Sequence, residues 1–288
     1  MGDTDGKGLA IITGADGGMG QVHTRALAGK GYEVIMACYD IEAARPLRDR
    51  IQEETGGTLH LMQVDLADLK SVVDFCDEVK SRHGSLKVLL NNAGVLSSKC
   101  RTSADNVEYT VAVNYLGHFT LTNLLLPIMG DGTRIVSMIS IAYVLGRIRP
   151  DFLKPKTKLN YNRFLSYGNS KLALYYFMLD ASEKWKDRGI TFNAADPDIV
   201  STNIIRLDNR VADKLCDIFF RPLINTPEQG AASMIAAATD PKFTGVTGKI
   251  IKKGEVVPHK KRFYNNARDR ELLMETTLEF LAANNIVL

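Results

Sequence analysis

The sequence predicts an α/β protein in which one parallel, doubly wound sheet carries helices on both faces, folded as a single domain over residues 1–288. Three observations predict it. Short apolar or β-branched runs alternate with longer amphipathic stretches from the N-terminus onward, as expected of strands buried on both faces and joined by helical crossovers. The first run leads into a glycine-rich turn that opens a helix. No linker, internal repeat or low-complexity tract divides the 288 residues, a length that one large core accommodates.

In order, residues 9–13 read as the first strand, 21–30 as a helix closed by Gly31, and 33–38 as the second strand. Strands three and four follow at 59–64 and 87–90, separated by a helix over 70–82 whose end Gly84 marks. The fifth strand is 134–139, a long helix covers 166–187, the sixth strand is 191–195 and a seventh lies at 249–251. Right-handed crossovers bring the carboxyl ends of these strands to one edge, where a ligand binds. Residues 146–163, rich in Lys, Arg, Asn and Pro, read as a surface excursion. Residues 203–225, with Leu207, Leu215, Ile218, Phe219 and Phe220, form a candidate substrate lid, and 252–288 a C-terminal extension.

Composition narrows the function. Apolar residues at 45% and charged residues at 24% argue against disorder, and a net charge of +3 is too weak for a nucleic-acid partner. The basic cluster Lys252, Lys253, Lys260, Lys261 and Arg262 reads as a solvated face. The four cysteines are scattered with no metal-ligand spacing, so neither a disulfide framework nor a metal site is expected. No apolar run approaches the roughly 20 residues of a membrane span, so a cytoplasmic protein without an integral membrane segment is expected.

The turn Thr13-Gly14-Ala15-Asp16-Gly17-Gly18-Met19-Gly20 joins the first strand to the first helix. Glycines there permit a tight turn, bring backbone N–H groups against a pyrophosphate and let the helix pack close to the sheet. The helix dipole adds about 1 kcal/mol for negative charge at that end. Asp65, after the third strand, either accepts from an adenine amino group or caps the next helix. Asn91-Asn92-Ala93-Gly94, after the fourth strand, offers amides beside a turn. Tyr167 and Lys171 are four apart on a helix, so both lie on one face, where an ammonium favours phenolate.

Together, T-G-x-x-x-G-x-G, the N-N-A-G tetrad, a Ser on the fifth strand and Tyr167-Gly168-Asn169-Ser170-Lys171 resemble the short-chain dehydrogenase/reductase family, which has a Rossmann-type fold. Within it, Val113-Asn114-Tyr115-Leu116-Gly117-His118-Phe119, the 124–127 run and Thr226-Pro227-Glu228-Gln229-Gly230 look like the retinol-dehydrogenase-like branch, which includes protochlorophyllide reductases. The resemblance implies hydride transfer between NAD or NADP and an alcohol or carbonyl. Gly14, Asp16, Gly18, Met19 and Gly20 would line the pyrophosphate, and Tyr39, Asp40, Asp65, Leu66, Asn91, Ala93 and Gly94 the adenosine side. Thr202 would bind the nicotinamide carboxamide, with Pro197 and Val200 also on the cofactor. Asn114 would hold a helix irregularity and a water, and Ser140, Tyr167 and Lys171 would complete the catalytic set, the last two also touching the cofactor. Ser137 shares the strand with Ser140, which lies nearer its carboxyl end.

That chemistry explains the residue types. Alcohol oxidation removes a proton from oxygen as hydride leaves carbon, and a free phenol near ~10 is a poor base at neutral pH. Bringing it down about three units requires about 4 kcal/mol, within reach of a lysine plus the positive nicotinamide in a desolvated cleft. Ser140 would donate to the substrate oxygen.

Two departures matter. Pro197-Asp198 stands where the family usually has Pro-Gly, and Tyr39-Asp40 where the branch commonly has an arginine for the 2′-phosphate of NADP. Asp40 suits a free ribose 2′-hydroxyl, which favours NAD, although Arg45 or Arg48 could reach a phosphate. The apolar candidate lid suggests a bulky steroid-, retinoid- or lipid-like substrate. The long Ser140–Tyr167 interval leaves homodimer and monomer both open, and the competing function is a nucleotide-binding regulator that has lost catalysis.

Overall fold

All five residues of β1 (Leu9–Thr13) are buried, because helices cover the sheet on both sides. In the computed structural model, which describes residues 7–198 and 226–288, eight strands form one sheet. They are β1, β2 (Glu33–Cys38), β3 (Leu59–Gln63), β4 (Leu86–Asn91), β5 (Met129–Met138), β6 (Thr191–Asp196), β7 (Ile250–Lys252) and β8 (Glu255–Val257). Their spatial order is 3-2-1-4-5-6-7-8. β1 to β7 pair in parallel, and β8 folds back antiparallel on β7. The order reverses between β1 and β4, which opens a crevice at the carboxyl edge.

Alternation along each strand divides the core. Leu9, Ile11, Ile35 and Leu89 face α3 (Leu69–Arg82), α5 (Gly117–Leu125) and α6 (Arg163–Lys184), while Ala10, Ile12, Met36 and Leu90 face α1 (Gly18–Gly29), α2 (Ile41–Thr55) and α7 (Pro227–Thr239). Each fully buried Leu or Ile contributes about 1.5–3 kcal/mol, so the run pattern dominates over individual propensities. A short α4 (Tyr109–Val111) precedes α5, and α8 (Lys261–Tyr264) and α9 (Ala267–Ala283) end the chain.

The boundaries move where local chemistry intervenes. α6 starts three residues before the predicted 166 because the Asn162 side chain accepts from the Phe164 and Leu165 N–H groups at 3.1 and 3.0 Å. It ends earlier too, giving way to a 3₁₀ turn (Lys186–Arg188) closed by Gly189 at φ +68°. β5 begins at Met129 rather than 134, through a register shift against β4 that the polar Gly-Asp-Gly stretch conceals in the sequence.

The 146–163 excursion is not purely surface: Ile148, Phe152 and Leu153 are buried, and the Phe152 ring meets Tyr115 edge-on at 5.7 Å. The C-terminal extension belongs to the core as well. Leu273 and Leu281 are buried, the Tyr115 hydroxyl lies 2.8 Å from the Thr277 hydroxyl, and Arg270 Nε donates to Asp180 at 2.6 Å. Tyr109–Ile128 is long and apolar enough to cross a membrane, which the run-length reading passed over because Asn114, His118 and Asn123 interrupt it. Most of this segment is buried inside the domain.

Candidate functional site

β1 ends in Thr13, and the chain turns at Gly14 with φ +60°, a left-handed conformation that favours glycine. A Cβ on Gly14 would lie 3.0 Å from the Ala93 Cβ, and one on Gly20 would collide with the Gly14 carbonyl. The N-cap Gly17 has no side chain to cap α1, so first-turn N–H groups stay available to a ligand. Gly18 begins the helix on the exposed side, and Met19 is buried beneath it. This donor set and its lack of Cβ atoms suit a dinucleotide pyrophosphate. Asp16 is exposed and hydrogen-bonded to the Cys38 thiol; burial first, then Asp16, pushes that thiol up to about 12.

Beneath the turn lies a hydrogen-bonded hub that the motif reading missed. Thr13 Oγ accepts from the Asn92 and Ala93 N–H groups, both at 3.0 Å, and lies 2.9 Å from His118 Nε2. Asn92 Nδ2 donates to the Thr13 and Gly14 carbonyls at 2.8 and 3.2 Å. His118 Nδ1 lies 3.1 Å from the Asn114 carbonyl, which can only accept, so the proton sits on Nδ1 and Nε2 accepts from Thr13. Burial lowers His118 to about 3, in keeping with this neutral tautomer. The missed signal was present in the order T-G, N-N and N-x-x-x-H: the first two pairs stand at the ends of β1 and β4, and Asn114 and His118 lie one helical turn apart on the segment leading into α5.

The Asn91 side chain lies inside the sheet rather than in the cleft. It is fully buried, with Nδ2 donating to Thr122 Oγ at 3.0 Å and Ser137 Oγ at 3.4 Å, so its side chain ties β4 to α5 and β5 instead of lining the adenosine side. Register explains the inversion: Asn91 pairs with Ser137, still inside the sheet, whereas Asn92 is the first residue past it. Ser137, buried within the sheet, accepts the Asn91 bond, whereas Ser140 lies past the strand's end.

The adenosine end is formed by the segments after β2 and β3. Tyr39 is 67% exposed, and Asp40 caps α2 by accepting from the Ala43 N–H at 3.0 Å. Asp65 Oδ1 accepts from the Ala67 N–H at 2.8 Å in a local turn; the cap of α3 is Asp68. Leu66 is buried against Gly117, where a Cβ would lie 2.9 Å from the Leu66 Cβ. Arg45 and Arg48 are engaged by Glu42 and Asp49, each at 2.6 Å. Arg101 lies over the Tyr109 ring at 4.1 Å.

At the other end, Asn114 occupies the middle of a π-helical turn (Ala112–Leu116) between α4 and α5, the irregularity the resemblance implies. Its Oδ1 accepts from the Val95 N–H at 2.8 Å, and its Nδ2 donates to the Val95 carbonyl and Ser170 Oγ, both at 3.0 Å. Gly94 lies against this array: a Cβ there would meet Lys171 Nζ at 3.4 Å and Asn114 Oδ1 at 3.6 Å, ordinary contact distances. Ser140 stands two residues past β5, capping a 3₁₀ turn (Ile141–Leu145) by accepting from the Ala142 N–H at 3.3 Å. That turn lies against α6 because Gly168 has no side chain; a Cβ there would lie 2.9 Å from the Ala142 carbonyl. Ser140 is thereby brought into hydrogen bonding with the half-buried Tyr167.

The electrostatics differ from the expectation. Desolvation dominates and pushes the Tyr167 phenol up to about 12, with the Ser140 hydrogen bond lowering it and Asp196 raising it. Lys171 is buried, its ammonium donates to the Met138 carbonyl at 2.7 Å, and burial lowers it to about 7. Its Nζ lies over the Tyr167 ring, 5.6 Å from the ring centre, and burial is the largest influence on both groups. Beyond β6, Pro197 is partly exposed and Asp198 adopts φ +60°, the conformation for which glycine is suited. Its carboxylate pairs with Lys252, and Lys253 lies 3.7 Å away, so two of the cations read as a solvated face serve as partners. Val200, Thr202 and the candidate lid lie outside the described residues.

The family profile described as short chain dehydrogenase matches residues 8–150. Over 94% of its length the chain is 32% identical to mouse (Mus musculus) retinol dehydrogenase 14, covering 81% of that protein. It is 33% identical to mouse polyprenol dehydrogenase, with coverage of 92% of this chain and 80% of the other. A crystal structure of an uncharacterized protein from Mycobacterium paratuberculosis aligns with a TM-score of 0.76 at 27% identity, covering 96% of this chain and 93% of that one. The glycine turn, the Asn114 π-turn and the Ser140–Tyr167–Lys171 cluster thus occur in a sequence and fold shared along nearly the whole chain, which is a member of the short-chain dehydrogenase/reductase family.

Proposed function

We propose that this chain is an NAD(P)-dependent oxidoreductase that interconverts a lipid-like alcohol and its carbonyl. One observation carries the reading: Asn114, Ser140, Tyr167 and Lys171 come together at the carboxyl edge of β4 and β5, beside the glycine turn. Ile141 and Leu145, 44% and 56% exposed on the turn that follows Ser140, provide an apolar rim. Names of relatives that contain retinol and polyprenol support the same substrate class.

A bound nicotinamide supplies the hydride or accepts it. Tyr167 donates its proton to the substrate oxygen during reduction and removes it during oxidation. Ser140 donates to that oxygen and stabilises charge developing there. Lys171 holds its ammonium on the Met138 carbonyl at the end of β5, over the Tyr167 ring, from where it would hold a ribose hydroxyl of the bound cofactor. Asn114 fixes the Val95 and Ser170 segments on either side. The phenol starts near 12, so alcohol oxidation rises with pH, whereas reduction, which uses the protonated form, falls at high pH. The regulatory alternative is disfavoured because the complete set is present.

For the cofactor we propose NAD over NADP. Among the described residues, Arg45 and Arg48 are occupied by carboxylates, and the segment after β2 offers Tyr39 and Asp40 rather than a cation. Arg101, over the Tyr109 ring, is a cation near this end to test for a 2′-phosphate contact. Titration with NADH and NADPH should show tighter NADH binding; preferential NADPH binding that Arg101→Gln abolishes would reverse the assignment.

The decisive assay gives wild type and Tyr167→Phe both cofactors with retinol, a polyprenol, a sterol and small polar alcohols. We expect turnover of the apolar alcohols and a loss of about 10²–10⁴-fold in the variant, with cofactor binding retained. Turnover confined to small polar alcohols would remove the lipid-like substrate, and equal rates in both proteins would remove the role of Tyr167.

A further inference from the structure

Asp196 is a buried carboxylate, 5% exposed, that the chemistry above does not use. It ends β6, directly beside the strand that carries the reaction: Ala195 is in register with Met138, and the Ile139 N–H donates to the Ala195 carbonyl at 3.0 Å. Met138 is the residue whose carbonyl receives the Lys171 ammonium, and Ser140, bonded to Tyr167, lies two residues farther on. Asp196 therefore stands one strand from the proton-handling cluster on the same sheet edge.

Among the described residues its close partners are few. One oxygen accepts from the Asp198 N–H at 3.1 Å; the other lies 4.0 Å from Lys252 Nζ, beyond a direct hydrogen bond. Lys252, in register with Asp196 on β7, is drawn to Asp198, while Lys253 approaches the second Asp198 oxygen. Among the described residues, Asp198 and Lys252 lie beside Asp196, and its charge also reaches Tyr143 on the 3₁₀ turn and Tyr167 on α6, the helix whose Lys171 is anchored on the neighbouring strand. Burial raises its carboxyl, and the Asp198 N–H and Lys252 oppose that rise. In the alkaline range where a phenol ionises it carries its charge.

We propose that Asp196 is a positioning residue whose buried negative charge keeps the proton on Tyr167, with Lys252, shared with Asp198, governing how much of that charge the phenol experiences. This rests on Tyr167 as the proton-transfer group. The overall equilibrium between alcohol and carbonyl is unaffected; Asp196 moves the pH range in which each direction runs. In reduction the Tyr167 proton passes to the substrate oxygen as hydride reaches carbon, and Asp196 exchanges no proton with either.

The test compares pH profiles of alcohol-oxidation kcat/KM for wild type, Asp196→Asn and Lys252→Gln, alongside tyrosinate absorbance titrations of the same proteins with Tyr167→Phe as the subtraction. Asp196→Asn should move the alkaline midpoint, and the Tyr167 titration, about one unit to lower pH, a roughly tenfold gain in oxidation rate below the midpoint. Lys252→Gln should move both to higher pH. Midpoints unmoved in a folded, cofactor-binding Asp196→Asn protein overturn the proposal. If that variant does not fold, Lys252→Gln decides it, and no upward shift overturns it. Retained turnover in Tyr167→Phe would instead overturn the reading of Tyr167, while the absorbance titration would still report whether Asp196 controls that phenol.

Discussion

The two halves of the sheet's carboxyl edge are held together by opposite chemistry. Around β1 and β4, neutral groups meet: Thr13, Asn92, His118 and the Asn114 carbonyl form short hydrogen bonds among buried atoms. Around β5 to β7, ionisable groups meet: Lys171 on a carbonyl, Tyr167 on Ser140, and Asp196 and Asp198 sharing Lys252. A neutral network of short hydrogen bonds holds one geometry and resists change, as binding a constant pyrophosphate requires. Buried ionisable groups cost more free energy, but their protonation can respond to a ligand or to pH, as proton transfer requires. Each family of groups is placed where its behaviour is useful.

The contrast can be broken most severely in the neutral half. Gly20→Val puts a branched side chain into the Gly14 carbonyl and should weaken NADH binding at least about 100-fold, read by fluorescence titration. Retained affinity would mean that the turn is not the pyrophosphate cradle. Next, His118→Ala should destabilise the fold by about 2–4 kcal/mol in urea unfolding, because Thr13 and the Asn114 carbonyl lose partners and a cavity opens.

The histidines also give the neutral half its own pH dependence. His23 and His118 are lowered by burial to about 4 and about 3, so the unfolded chain binds protons more readily below its ordinary value near 6.5. Stability should therefore fall as pH drops from about 6.5 towards 4, by roughly 2 kcal/mol for each histidine at pH 5. A urea midpoint flat across that range would contradict the neutral-histidine assignment.

Smaller effects sharpen the distinction. Asn91→Ala should cost about 1–3 kcal/mol of stability through the lost bonds to Thr122 and Ser137 while leaving cofactor affinity unchanged. Weakened cofactor binding at unaltered stability would return Asn91 to the cleft. Asp198→Gly should change stability by less than about 1 kcal/mol, since relief of the left-handed backbone offsets a partly exposed ion pair. A large loss in thermal unfolding would mean that the pair anchors the β7–β8 hairpin.

Much of this architecture was legible in the residues. The alternating runs located seven strands, and the order of T-G-x-x-x-G-x-G, N-N-A-G and Tyr167-x-x-x-Lys171 placed the site at the strand ends. Period and spacing carry that information because buried strands and glycine turns tolerate few residue types. β8 was not legible: three residues, partly exposed, leave no periodicity to read. Nor was the buried part of the 146–163 excursion, whose apolar residues are dispersed among charges.

What the sequence by itself determined is the layered α/β fold, the glycine turn after β1 and the candidate proton-handling side chains, all written in local pattern. Only the tertiary structure decided that Asn91 serves the core while Asn92 serves the turn, since one position of register inverts their environments. It also decided that Tyr167 and Lys171 are shifted by burial more than by each other, and that Asp196 stands beside them. Desolvation and the approach of charges depend on where distant strands meet in space, and no local pattern encodes that.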